Sequence, residues 1–119
     1  MQDFRKLKVL EKGHQLTMAV YSATLNFPKE ELYGLSNQLR RACASIPTNI
    51  AEGCGRGGDP EFKHFLQIAM GSASETEYHL LLAHDLGYLT DGDYEQLGKD
   101  VIEIKQMLAS FIHKLKADR

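Results

Sequence analysis

Tyr94, Leu97, Val101, Ile104, Leu108, Phe111 and Leu115 recur at alternating steps of three and four, the spacing that draws one continuous apolar seam along an α-helix. A seam that long must be hidden against other helices. Thr90, three residues before Asp93, offers a cap of the capping-box kind, so this helix is predicted to start near Asp91.

Three earlier segments repeat the pattern. Leu32, Leu35, Leu39, Ala42, Ile46 and Asn49 form a seam after a start marked by Pro28, Glu30 and Glu31, residues suited to a first helical turn. Pro47 falls inside this segment, so the helix is expected to kink near Cys43 to Ile46 or to end early. The next segment opens with Asp59 as N-cap and Pro60 as first helical residue, and carries Phe62, Leu66, Ala69, Ala73, Thr76, Leu80 and Ala83 on one face. Small residues Gly71, Ser72, Ala73 and Ser74 permit close approach of another helix. Phe65, Ile68 and Leu82 make a second apolar stripe that the first seam cannot bury, which implies a partner surface. The first segment keeps the spacing through Leu16, Val20, Ala23 and Phe27, extended toward the N-terminus by Val9 and Gly13.

The connections, at 26–29, 53–59 and 87–90, are short enough to force neighbouring helices antiparallel. Residues 1–119 are therefore expected to form one all-α domain, an antiparallel up-down-up-down four-helix bundle. At 119 residues it buries about two-thirds of its unfolded surface without staples. Cys43 and Cys54 fit neither a zinc site nor a disulfide framework, and no run approaches a membrane-spanning length. A reducing, cytoplasmic setting with no membrane partner is expected.

The net charge of −2 hides a polarity. In such a bundle one end collects nine basic residues, Arg5, Lys6, Lys8, Lys12, Arg56, Lys63, Lys114, Lys116 and Arg119. Six acidic residues, Asp3, Glu11, Glu52, Asp59, Glu61 and Asp118, share that end, for a net +3. The opposite end sets Lys29 and Lys99 against seven acidic residues, Glu30, Glu31, Asp85, Asp91, Asp93, Glu95 and Asp100, for a net −5. A basic pole can hold polyanions by phosphate contacts, and a ring of copies would multiply the field.

No catalytic constellation survives inspection. Gly53 to Gly58 precedes a helix but follows another helix instead of a strand and lacks the GK[ST] ending, so it reads as a C-cap and turn. Glu61-x-x-His64 occurs once, where a di-iron bundle needs two copies. Ser45, Ser72, Ser74, Cys43 and Cys54 have no motif tying them to any of His14, His64, His79, His84 or His113. No metal or cofactor is implied. Asn49, Ser72 and Glu75 are polar residues of the kind that set helix register or pairing, and Arg40 and Arg41 are suited to pairing across subunits or lining a ring's inner wall.

Gln38-Leu39-Arg40-Arg41-Ala42, Ser45-Ile46-Pro47-x-Asn49-Ile50-Ala51-Glu52-Gly53, Ala69-x-Gly71-Ser72 with Glu75, and Leu86-Gly87-Tyr88-Leu89 resemble bacterial four-helix bundle proteins encoded inside intervening sequences of large-subunit ribosomal RNA genes. The Asn-Ile-Ala-Glu-Gly segment with its upstream arginine pair is the most specific part. The resemblance implies a homopentameric ring without enzymatic activity, similar in shape to the nucleic-acid-binding accessory protein of diversity-generating retroelements. Val9 to Gly13 and Thr76 to His79 depart from that pattern, which carries bulkier or aromatic residues at the first stretch and a more leucine-rich run at the second.

The expectation is a self-assembling bundle that binds RNA or DNA through Arg5, Lys6, Lys8, Lys12, Arg56, Lys63, Lys114 and Lys116, with Arg40, Arg41, Asn49, Phe65, Ile68, Ser72, Glu75 and Leu82 at subunit contacts. The competing reading is a protein-interaction adaptor that presents the acidic end or the Phe65/Ile68 stripe to a protein partner.

Overall fold

The structure, a computed structural model, describes Phe4 and residues 7–117, with side chains through Leu115. Among these residues it is all-helical, with four long helices: α1 (Lys8–Thr24), α2 (Leu35–Cys54), α3 (Asp59–Asp85) and α4 (Asp91–Ala117). They pack into a rod of 47 × 22 × 20 Å. Each helix packs against two neighbours, in the cycle α1–α2–α3–α4–α1, and among the described residues the backbones of diagonal helices stay apart. Across the α2–α3 and α3–α4 interfaces the paired positions rise on one helix as they fall on the other. Ser45 and Gly53 of α2 meet Ser72 and Phe62 of α3, while Phe62, Glu77 and His84 of α3 meet Phe111, Lys105 and Asp91 at or in α4.

The seams read from spacing form the core. On α3, Phe62, Leu66, Ala69, Ala73, Thr76, Leu80 and Ala83 are all buried, and on α4 so are Leu97, Val101, Ile104, Leu108 and Leu115, with Tyr94 and Phe111 half-buried beside them. In the two stretches Val9 to Gly13 and Thr76 to His79 the end residues Val9, Gly13, Thr76 and His79 are buried, while Glu11 and Tyr78 between them are exposed.

Helix α4 starts at Asp91, and the Asp93 amide donates to Thr90 Oγ1 at 3.1 Å, as a cap should. The α3 start differs from expectation. Gly58 is the N-cap, without a side-chain bond, and Asp59 and Pro60 are already inside the helix. Nor does α2 begin near Pro28. Residues Lys29–Glu31 form a separate 3₁₀ turn, the chain bends at Gly34, and Leu32 is 49% exposed instead of in the seam. Glu31 explains why the helix waits: its Oε1 accepts from the Leu35 amide at 3.0 Å, capping α2 from outside, and its Oε2 accepts from the Tyr88 phenol at 2.9 Å. That carboxylate raises the Tyr88 pKa. Phe27 packs on the Tyr88 ring, 5.4 Å between centroids, so the first and third connections meet at one end of the rod.

Pro47 does not end α2, which continues to Cys54. Its missing N–H deprives the Cys43 carbonyl of its usual donor. Thr17 of α1 lies 3.4 Å from that oxygen while giving its proton mainly to Gly13 O at 2.7 Å. Gly13 makes room for the proline: a Cβ there would stand 3.4 Å from Pro47 Cδ and 3.3 Å from Ile46 Cγ2.

The α3–α4 turn closes with a positive-φ glycine, Gly87 at 81°. Tyr88 N–H bonds Ala83 O and Gly87 N–H bonds His84 O, both at 2.9 Å, the Schellman pattern. His84 locks the turn further. Its Nε2 is 2.7 Å from Asp91, its Nδ1 is 3.5 Å from Asp85, and its ring stacks on Tyr94 with centroids 4.3 Å apart. The hydrogen bond to Asp91, and then the charges of both carboxylates, raise the His84 pKa. The folded state thus favours imidazolium. This contribution is fully present below the unfolded imidazole value of about 6.5 and is lost as pH rises through the raised folded value. The stability gap between the parent chain and His84→Ala, from urea unfolding, is expected to be wider at pH 5.5 than at pH 9.

Candidate functional site

Of the eight residues expected to contact nucleic acid, Arg5 and Lys6 lie outside the described residues, and so does the side chain of Lys116. Arg56, Lys63 and Lys114 lie toward the end where Phe62 meets Phe111 edge-on at 5.2 Å and Gly53 abuts Phe62 and Phe65, whereas Lys12 stands beside Glu103 at the middle of α4. They are not equally available. Lys12 pairs with Glu103 of α4 at 2.7 Å, which raises the lysine pKa and lowers that of the glutamate. Arg56 pairs with Glu52 at 3.1 Å and lies over the Phe65 ring at 5.0 Å. Lys8 and Lys114 are exposed, and Lys63 is half-buried. Exposed pairs of this kind hold their partners weakly and can exchange them for phosphate.

The residues expected at subunit contacts separate into distinct places. Arg40 turns toward α1, where its Nε donates to Thr24 Oγ1 at 2.7 Å and its guanidinium covers Tyr21 at 5.0 Å. Phe65 and Leu82 are half-buried; Leu82 packs against the core and Phe65 lies under Arg56. The stripe expected of Phe65, Ile68 and Leu82 is therefore mostly occupied within the protomer, because α2 and the following loop cover its edges. Ile68, 38% exposed, remains open, and the larger exposed apolar side chains of α3 are Tyr78 and Leu81.

Arg41, Ser72 and Glu75, in contrast, share one groove between α2 and α3, of about 540 Å³, completed by Tyr33, Asn37, Gln38, Ala42 and Ser45. Ser45 and Ser72 hydroxyls bond across it at 2.9 Å. Asn49, expected on the buried seam, is half-buried one turn below, and its Nδ2 donates to Ser45 O and Oγ at 2.8 Å each. Tyr33, Asn37 and Gln38 were missed by sequence reasoning. The signal was there: Tyr33, Asn37, Arg41, Ser45 and Asn49 step by four along one face.

Nucleophilic chemistry finds no support in this geometry. Burial pushes the Cys43 thiol up to about 11, far from a reactive thiolate, and the bonds of Ser45 and Ser72 run to each other and to Asn49. The glycine-rich loop encloses only about 100 Å³, small for a nucleotide. No group of three or more His, Cys, Asp or Glu residues is placed to hold a metal among the described residues. None of the described helices is long and apolar enough to cross a membrane.

These features define a class, a small four-helix protein with charged ends and a polar groove on one side. The profile of the 23S rRNA-intervening sequence protein family matches residues 5–110, and the chain belongs to that family. A solved structure of a protein of unknown function from the S23 ribosomal protein family of Bacteroides thetaiotaomicron is similar. Its TM-score is 0.79 at 31% identity, over 87% of this chain and 97% of that one. No curated protein matches.

Proposed function

We propose that this chain is a self-assembling, non-enzymatic bundle with an up-down-up-down course that binds RNA through its basic end. The opposite order of paired positions across the α1–α2, α2–α3 and α3–α4 interfaces supports the course. The observation that carries the binding is the nearness of Arg56, Lys63 and Lys114 to the end of the rod where Phe62 meets Phe111, with Lys8 and Lys12 following on the first turns of α1, away from the acidic end where Glu31 meets Tyr88. Membership of a family named for rRNA intervening sequences points to RNA as the polyanion. Ile68, Tyr78 and Leu81 on α3 supply apolar surface for assembly, the family resemblance points to a pentameric ring, and the buried thiols of Cys43 and Cys54 fit a reducing, cytoplasmic setting.

A salt titration with generic single-stranded RNA tests the binding. With about four phosphates neutralised per protomer, affinity should fall about fiftyfold between 50 and 200 mM salt. The triple variant Lys8→Glu, Lys63→Glu, Lys114→Glu should flatten that dependence. Affinity independent of salt, or no binding, removes the proposal. Solution mass measurement tests the assembly, and a clean monomer would refute it. An adaptor role draws on the cleft of about 480 Å³ between α3 and α4, where Leu80, Tyr94 and Ile102 lie among Glu77, Glu95 and Glu103. An adaptor would keep its protein partner in pull-downs after nuclease treatment.

A further inference from the structure

The α2–α3 groove is built differently from the charged surfaces around it. Two oppositely charged pairs that face each other across helices are joined, Lys12 with Glu103 and Lys105 with Glu77. In the groove such a pair is not. The Ser45–Ser72 bond sets the register, so Arg41, one turn before Ser45, lies opposite Glu75, one turn after Ser72. Both line the same space and both are exposed, yet among the described residues neither makes a hydrogen bond or ion pair. A cation and an anion that face each other unjoined suit an occupant with acceptors on one edge and donors on the next.

Guanine is the base with that pattern. Its O6 and N7 accept a two-pronged arginine contact, and its adjacent N1–H and N2–H₂ donate in parallel to a carboxylate. Adenine and cytosine each place an acceptor beside a single amino group, and uracil places its one N–H between two acceptors, so none satisfies Glu75 with two donors. Tyr33, 90% exposed at the groove's other end, offers a stacking face for a neighbouring base. Asn37 and Gln38 between them supply amides for its edge or backbone. The volume, about 540 Å³, is in the range of small-ligand sites.

We infer that the α2–α3 groove binds an unpaired guanine, with Arg41 on its O6/N7 edge, Glu75 on its N1/N2 edge, and Tyr33 stacking the base beside it. The inference goes beyond the basic-end reading and stands on different residues. Guanine comes either from a free nucleotide or from single-stranded RNA, and two ligands separate these sources: GMP measured by calorimetry, and fluorescein-labelled hexauridylate carrying one central G, A or inosine, measured by anisotropy.

The G oligomer is expected to bind about tenfold tighter than the A oligomer, with inosine, which lacks the 2-amino group, in between. Glu75→Gln and Arg41→Ala should erase the G-over-A ratio without changing the far-UV circular dichroism, since both side chains are exposed. Tyr33→Ala should weaken the oligomer and spare GMP. Comparable affinity for GMP and the G oligomer identifies a free nucleotide as ligand; a much tighter oligomer identifies RNA. The Lys8, Lys63, Lys114 variant should weaken all oligomers alike and leave the ratio intact, so failure of the basic-end reading leaves this one readable through GMP. Equal binding of G and A, a ratio untouched by Glu75→Gln, or groove variants that alter only the solution mass would overturn the inference. The last result would make the groove a subunit contact.

Discussion

Gly53→Val is expected to destabilise the fold by about 3 kcal/mol, the upper part of the range for overpacking, with a matching drop in the urea midpoint. A Cβ at position 53 would stand 2.8 Å from Phe62 Cδ1 and 3.0 Å from Phe65 Cβ. The Phe65 contact is to an atom fixed by its backbone, so a rotamer change cannot relieve it and α2 must part from α3. Phe62 is itself held edge-on against Phe111 of α4, so the displacement passes to a third helix. An unchanged midpoint would show that the close approach is not required. This crossing lies beside Arg56 and Lys63, so the same variant should also weaken RNA binding at the basic end by misplacing them.

Leu66→Ala should cost a comparable amount, about 2–5 kcal/mol. Leu66 is fully buried in the first half of α3, and neighbouring Ala69 and Ala73 have no side-chain length with which to fill the space it leaves. The loss is large against the 5–15 kcal/mol that holds a typical domain together, and thermal unfolding would report it as a drop of roughly ten degrees or more. A loss under about 1 kcal/mol would mean that the site collapses around the cavity.

Leu66 was legible in the sequence, and the reasons show where such reading works. The seams of α3 and α4 run for many turns with one residue type in phase, and burial follows phase directly. The start of α2 was not legible. Pro28, Glu30 and Glu31 have the chemistry of a first helical turn, and Leu32 falls in phase with Leu35. But Glu31 serves as a cap reached from outside, and the bend at Gly34, φ −110° and ψ −114°, cannot be foretold from propensity. Pro47 left open a kink or an early end, and the second did not follow because its compatibility with a continuing helix depends on Gly13 and Thr17 of α1.

The groove was half legible. Arg41, Ser72, Glu75 and Asn49 stood out as polar residues at helical spacing, but their grouping depends on the α2–α3 register fixed by the Ser45–Ser72 bond. Arg40 was paired with Arg41 by adjacency alone. One step along a helix turns a side chain by about 100°, which sends Arg40 to Thr24 and Tyr21 and Arg41 to the opposite flank.

Glu31 has one carboxylate and two tasks: one oxygen holds the first free amide of α2, the other the Tyr88 phenol. Loosening the hairpin between the last two helices therefore unfastens the beginning of the second, although some fifty residues of chain separate them. Amide exchange at the start of α2 and in the α3–α4 turn is therefore expected to quicken together when Glu31 is replaced.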